Sequence, residues 1–308
     1  MAEAPTAGSI GDALGGAIDA LAAAGVDSPR LDAELLLAEA TGWDRAHPAA
    51  HPEAGVPAAA GRRFGETVRR RLRREPVAYI LGRKGFRHIE LAVDRRVLVP
   101  RPETELLVEL ALELAPRRVL DVGTGSGAIA LAVAVELPGC EVVATDTSAA
   151  ALEVAGDNAE RLGLAGGVEL VEGMLPGVGG GFDLVLANLP YVAEADWAAL
   201  EPEVTEWEPR EALLGGPDGL DAIRALLDTL TGASAPGDHQ ASERGRNSLR
   251  IADKTTTAVV DVGAIALEVG EGQADAVGEL LRAAGFGAVE TRPDLAGIPR
   301  VVLGRRRP

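Results

Sequence analysis

Apolar positions in the first forty residues recur at helical spacing. Ile10, Leu14, Ile18 and Leu21 share one face of a helix that Ser9 caps and Gly25 ends. Ser28-Pro29 then supplies an N-cap and a first-turn proline, and Leu31, Leu35 and Leu36 follow at the same spacing until Gly42. A looser Ala/Pro/Gly-rich stretch, 47–61, leads into RRFGETVRRRLRREP, a third expected helix. Its arginines (Arg62, Arg63, Arg69, Arg70, Arg71, Arg73 and Arg74) are expected on a solvated face, the usual fate of a charge run. Residues 1–84 therefore read as a small helical domain.

The period changes at 85–99, GFRHIELAVDRRVLV, where two short β-prone runs flank Asp94-Arg95-Arg96 and predict a β-hairpin linker. From Pro100 onward strand-like runs (RRVLDVG, CEVVATD, VELVEG, FDLVLAN, AIALEVG, RVVLGR) alternate with helix-like ones (TELLVELALELA, SAAALEVAGDNAERLG, ADAVGELLRAAG). Such alternation predicts an α/β domain over 100–308, its mostly parallel sheet covered on both faces. Residues 238–262 break the rhythm. They are polar and aperiodic, and about 25 residues is long for a loop inside a compact domain, so they read as an insertion.

Composition narrows the chemistry. The net charge of −17 disfavours a general affinity for phosphate backbones, and 3% aromatics leaves little for base stacking. No stable nucleic-acid binding is expected. The single cysteine, Cys140, excludes an internal disulfide and a Cys-based zinc site; His47, His51, His88 and His239 fit no zinc-helix pattern, so no metal is expected. The N-terminus has no basic leader and no apolar run reaches spanning length, so a cytoplasmic protein without membrane contact is expected. A monomer is expected as well.

Two strand ends carry the candidate chemistry. Val119-Leu120-Asp121-Val122 opens into Gly123-Thr124-Gly125-Ser126-Gly127 and then a helix. Glycines there admit a ligand close to the backbone, and the helix start offers free N–H groups. Asp146 ends the next strand, where a carboxylate accepts both hydroxyls of a ribose. Together they imply a nucleoside-bearing cofactor. At the end of FDLVLAN the chain runs into Asn188-Leu189-Pro190-Tyr191, polar and turn-forming, at the strand end where open α/β sheets bind ligands.

The G-x-G-x-G spacing resembles the first motif of S-adenosylmethionine-dependent methyltransferases. Asn188-Leu189-Pro190-Tyr191 resembles the Asn/Asp-Pro-Pro-Tyr/Phe motif of those that methylate planar nitrogens. Six further stretches narrow the resemblance to release-factor glutamine methyltransferases of the HemK/PrmC type: Ser28–Glu34, Pro76–Gly82, Leu98–Glu105, Glu206–Leu213, Leu267–Gln273 and Asp294–Gly297. The resemblance implies a Rossmann-like seven-stranded methyltransferase sheet with an antiparallel hairpin at one edge, and a helical N-terminal domain that holds a peptide chain release factor. It implies S-adenosyl-L-methionine at Gly123, Thr124, Gly125, Ser126, Gly127, Asp146 and Asn188. It further implies a glutamine amide, from a Gly-Gly-Gln loop, at Asn188, Leu189, Pro190 and Tyr191, with Arg101 and Glu103 lining or bracing the site. Leu189 stands where the family has proline, and Glu172-Gly173-Met174-Leu175 lacks the acid usual after the third strand. Two other readings stay open: a nucleic-acid adenine methyltransferase using base flipping, and a catalytically weakened relative acting as a binding module.

Overall fold

The computed structural model describes residues 6–44, 46–175, 180–232 and 260–306. The chain forms two compact units, one of residues 1–83 with 201–207, the other of 84–200 with 208–308.

In the first unit the helices Ile10–Ala23, Pro29–Thr41 and Ala58–Leu72 enclose a core of Ile10, Leu21, Leu36, Leu37 and Phe64. Ser9 Oγ accepts the Asp12 N–H at 3.1 Å, the expected cap. The second helix is rotated from its expected face: Leu31 is 41% exposed and Leu37 is fully buried. Ser28 caps nothing with its side chain; the proline start and left-handed Gly42 (φ 76°) define that helix instead. Short strands Thr6–Ser9 and Gly55–Pro57 pair antiparallel, an addition to the helices expected here.

The arginine run is not a plain solvated face. Arg71 is 6% exposed and binds Asp32 at 2.7 Å and Glu203 at 2.7 Å. Arg74 pairs with Glu201 and Glu203, and Arg70 with Glu75. Glu201 and Glu203 lie in or beside the short helix Pro202–Trp207, which is far away in sequence. These ion pairs, with the Trp207 indole N–H donating to the Arg73 carbonyl at 3.2 Å, tie that segment into the helical unit.

The second unit is built on a seven-stranded sheet, numbered here in chain order: β1 Arg118–Val122, β2 Glu141–Asp146, β3 Val168–Glu172, β4 Phe182–Ala187, β5 Val262–Glu268, β6 Ala288–Pro293 and β7 Pro299–Arg305. Its order is β6-β7-β5-β4-β1-β2-β3, with β7 antiparallel to both neighbours and the remaining pairs parallel. Interior strands are apolar almost without interruption, as burial on both faces demands: Val119, Leu120, Leu184, Val185, Leu186 and Ile265 are at most 1% exposed. Strand β6 lies at the edge and is mostly exposed, so it lacked the apolar run that marks the others. The helix Ala128–Glu136 is buried on every side over 128–133, which requires its all-apolar sequence.

Two expected boundaries move. The strands Arg83–Phe86 and Ile89–Ala92 form the small hairpin, so its tip is Arg87-His88 rather than Asp94-Arg95-Arg96. Arg87 takes a left-handed φ of 49° there, held by its N–H on Glu105 and its guanidinium on Glu136. Asp94 instead accepts the Arg96 N–H at 2.9 Å and closes a turn of its own. The proposed insertion 238–262 lies outside the described residues up to 259, but its last residues do not belong to it: Val260 is buried and Val262 pairs with Phe182 in the sheet. A deletion carried through Val262 is therefore expected to melt at a lower temperature than one that keeps Val260–Val262, because burying a valine is worth about 1.5–3 kcal/mol. No helix among the described residues is long and apolar enough to cross a membrane.

Candidate active site

The carboxyl end of β1 starts the site. Asp121 is wholly buried and fastens the glycine turn to the following helix: Thr124 Oγ1 donates to it at 2.6 Å and the Ala130 N–H at 3.2 Å. Burial pushes its carboxyl up to about 7, against the bonds from Thr124 and Ala130. The Gly123 and Thr124 N–H groups both donate to the Thr145 carbonyl at 2.9 Å, which bends the turn across β2. Gly125 sits at φ 57° with open space where a Cβ would stand, so a ligand has direct access to its backbone. Gly127 serves packing instead. Its φ is 85°, and a Cβ there would lie 2.8 Å from Leu131 Cδ1.

Asp146, at the end of β2, accepts the Gly125 N–H at 2.9 Å on one oxygen and the Ser148 N–H at 2.8 Å on the other. Burial raises its pKa while these backbone bonds lower it. The turn and the acid are thus one assembly, with the carboxylate's remaining lone pairs free for a ligand. Asn158 braces it from behind, donating to the Ser126 and Ala92 carbonyls.

After β4, Asn188 Nδ2 donates to the buried Thr104 hydroxyl at 3.0 Å, which leaves Oδ1 as an acceptor. Leu189 is 7% exposed, its side chain against Gly123. The Tyr191 hydroxyl donates to Glu268 Oε1 at 3.5 Å, and its carbonyl accepts Gln273 Nε2 at 2.9 Å. Burial, aided by Glu268, pushes the phenol up to about 12 against Arg101 and Arg300, so Tyr191 is a donor and not a base. The loop is clamped from outside by Leu213–Gly219: Val192 exchanges backbone bonds with Leu213 and Gly215 at 2.9 Å. A Cβ at Gly215 would fall 2.5 Å from the Pro190 carbonyl oxygen. Arg101 is oriented by the buried Glu208, which it meets at 2.6 Å and which also accepts the Val99 N–H.

A cleft of about 240 Å³ brings most of the expected residues together: Gly123, Thr124, Gly125, Ser126, Asp146, Asn188, Leu189, Pro190 and Arg101 all line it. Gly127, Tyr191 and Glu103 do not. Tyr191 points to Glu268, and Glu103 acts on Tyr191 and Glu268 through charge. Met174 faces the cleft where the family resemblance leads one to look for an acid, so that wall is apolar. No cluster of metal-binding side chains occurs among the described residues. The open backbone at Gly125, the Asp146 carboxylate and the apolar wall suit a nucleoside-bearing ligand.

Thr104, Glu208, Glu268 and Gln273 had no role assigned from sequence, although each lies inside a stretch that carried the family resemblance. Nothing local separates them from their neighbours; only the fold shows what they touch.

The Leu189 position also changes meaning. Proline there would restrict the unfolded chain, a gain of about 0.4–1 kcal/mol, but would lose roughly one buried carbon worth about 0.8 kcal/mol. The two nearly cancel. Leu189→Pro is therefore expected to unfold within about 1 kcal/mol of the parent in denaturant titration and to keep its activity, since the carbonyl is retained.

Comparison with known proteins agrees in both units. The family described as PrmC N-terminal domain matches residues 12–82, and the family described as Methyltransferase small domain matches 102–203. Release factor glutamine methyltransferase of Cereibacter sphaeroides is 40% identical over 295 residues, covering 96% of this chain and 97% of the relative. The protein of the same name from Moorella thermoacetica is 41% identical over 302 residues, covering 96% and 98%. Among solved structures, the hMettl16 catalytic domain in complex with the MAT2A 3'UTR hairpin 6 is similar with a TM-score of 0.52 at 15% identity, over 71% of this chain and 76% of that one. That last likeness concerns the fold alone.

Proposed function

The chain belongs to the release factor glutamine methyltransferase family, and from its site we propose that it methylates the side-chain amide nitrogen of a release-factor glutamine, in a Gly-Gly-Gln loop, using S-adenosylmethionine. The observation that carries this reading is Asn188. Its Nδ2 is committed to Thr104, so the acceptor end of its amide is left for a substrate N–H, in the same cleft as Gly125 and Asp146.

An amide nitrogen is a poor nucleophile because its lone pair is delocalised. Acceptors around its two N–H bonds, Asn188 Oδ1 and the Leu189 carbonyl, hold it in one orientation and stabilise the positive charge that grows on it. Tyr191 stays protonated and anchors the loop from behind, with its hydroxyl on Glu268 and its carbonyl on Gln273. S-adenosylmethionine, when bound, supplies an electrophilic methyl on its sulfonium. The Gly123–Ser126 backbone and Asp146 would hold its nucleoside and amino-acid parts. We assign the helical unit, 1–84, to holding the release factor, with the chain working as a cytoplasmic monomer.

Asp146→Ala is expected to weaken cofactor binding by about 1.5–3 kcal/mol, the worth of a charge-assisted pair of bonds. The variant also frees the Gly125 and Ser148 N–H groups, so isothermal titration should be read beside a melting curve. Unchanged affinity removes Asp146 from the site. The function itself is tested by mass spectrometry of release factor after incubation with protein and cofactor. A methyl group on the Gly-Gly-Gln glutamine is expected; a methylated nucleic acid with unmodified release factor overturns the assignment.

A further inference from the structure

Behind Asn188 lies a buried acid that the methyl-transfer reading does not use. Glu268, at the end of β5, is 2% exposed, and its Oε2 has no hydrogen-bond partner among the described residues. The Thr104 hydroxyl lies close enough to the Glu268 carboxylate to lower its pKa. It is itself the acceptor of Asn188 Nδ2 at 3.0 Å, so its own proton is left for the carboxylate; the Tyr191 hydroxyl reaches the same carboxylate at 3.5 Å. Glu268 therefore stands behind both ends of the Asn188–Tyr191 loop. A buried carboxylate with so few partners is costly, and a leucine in its place would cost less.

We propose that Glu268 is a positioning residue that sets, through the Thr104 hydroxyl, which end of the Asn188 amide faces the substrate nitrogen. The logic is donor counting. An ionised Glu268 only accepts, so the Thr104 proton points at it, and the Thr104 lone pair is left for Asn188 Nδ2. Oδ1 then faces the substrate N–H. A protonated Glu268 becomes a donor to Thr104, whose own proton turns toward Asn188 and favours the flipped amide. A flipped amide presents N–H to N–H and repels the substrate. The inference rests on the reading of Asn188 as the amide-orienting residue.

The groups facing Glu268 fit a site that titrates. Burial dominates and pushes its carboxyl up to about 7; Thr104, Arg300 and Tyr191 pull it down, and the Glu103 charge raises it. The orienting, ionised form is thus lost as pH falls through about 7.

The test uses the full-length protein with release factor. Glu268→Met and Thr104→Val are expected to lower kcat by about tenfold to a hundredfold, with cofactor affinity and melting temperature held or raised. Thr104→Ser is expected to restore kcat. Glu268→Gln keeps an acceptor for Thr104 without titrating, so it should retain activity and lose the acid limb of the pH–rate profile near 7 that the wild type shows. A parallel fall in kcat, cofactor affinity and melting temperature would make Glu268 merely structural, and an unchanged kcat in Glu268→Met would remove the relay. The nitrogen-15 resonance of the Asn188 side-chain amide reads the relay without substrate. It should shift with pH through about 7 in the wild type and not in Glu268→Gln. A wild type that leaves release factor unmodified refutes the function, while an Asn188 resonance indifferent to Glu268 refutes this inference.

Discussion

Asn188→Ala is expected to slow methylation of the release-factor glutamine by about 10²–10³-fold, the usual loss when one preorganised partner of a developing charge is removed. Its effect on folding should be far smaller. The side chain makes one hydrogen bond, to Thr104, worth about 0.5–1.5 kcal/mol, and it is only partly buried. Single-turnover rates at saturating cofactor, set beside denaturant unfolding, separate the two. Asn188→Asp sharpens the comparison. Its carboxylate still accepts a substrate N–H, but it no longer donates to Thr104 and it brings a negative charge toward Glu268. A rate loss in Asn188→Asp comparable to that in Asn188→Ala shows that orientation, not acceptance alone, is what Asn188 provides. A rate within threefold of the parent in Asn188→Ala would sink the role assigned to it.

How much of this site could be read beforehand follows from which interactions are local. The parallel strands were legible because burial on both faces leaves one long apolar run, and the glycine turn because positive φ at Gly123, Gly125 and Gly127 selects one residue type. Edge strand β6 was not, since half-exposed residues carry no such signature. The second helix was placed correctly but rotated, because Leu31, Leu35, Leu36 and Leu37 offer two apolar stripes and only tertiary packing chooses between them. Asn188 and Asp146 announced themselves as polar residues ending apolar strands. Glu268 also ends one, yet a carboxylate at that point reads equally as solvated, and its burial depends on Thr104, Tyr191 and the neighbouring strand β7. The arginine run misled for the same reason: its partners Asp32 and Glu203 lie 39 and 132 residues away.

Arg71→Met is expected to be the most destabilising single change in the helical unit, by about 3–5 kcal/mol, because it leaves Asp32 without its partner and Glu203 with Arg74 alone in a nearly dry site. Asp32 and Glu203 side chains are only 12% and 16% exposed, so water does little to replace the guanidinium. Arg69, by contrast, lies on the exposed side of the same helix, and Arg69→Met should stay within about 0.5 kcal/mol. Glu203 gives the effect a pH signature. Burial pushes its carboxyl up, but bonds from Arg74 and Arg71 outweigh that and hold it below the usual range. A depressed carboxyl stabilises the fold above its unfolded pKa of about 4.3 and loses that contribution as pH falls through the folded value. The gap between wild type and Arg71→Met should therefore be full at neutral pH and narrow in acid. Adding Asp32→Leu to Arg71→Met should recover part of the loss by removing one orphaned charge, but not all of it. Glu203 would remain, held by Arg74 alone. If Arg71→Met instead unfolds with the wild type at every pH, the arginines are a solvated face after all, and the segment 201–207 is held by something other than its ion pairs.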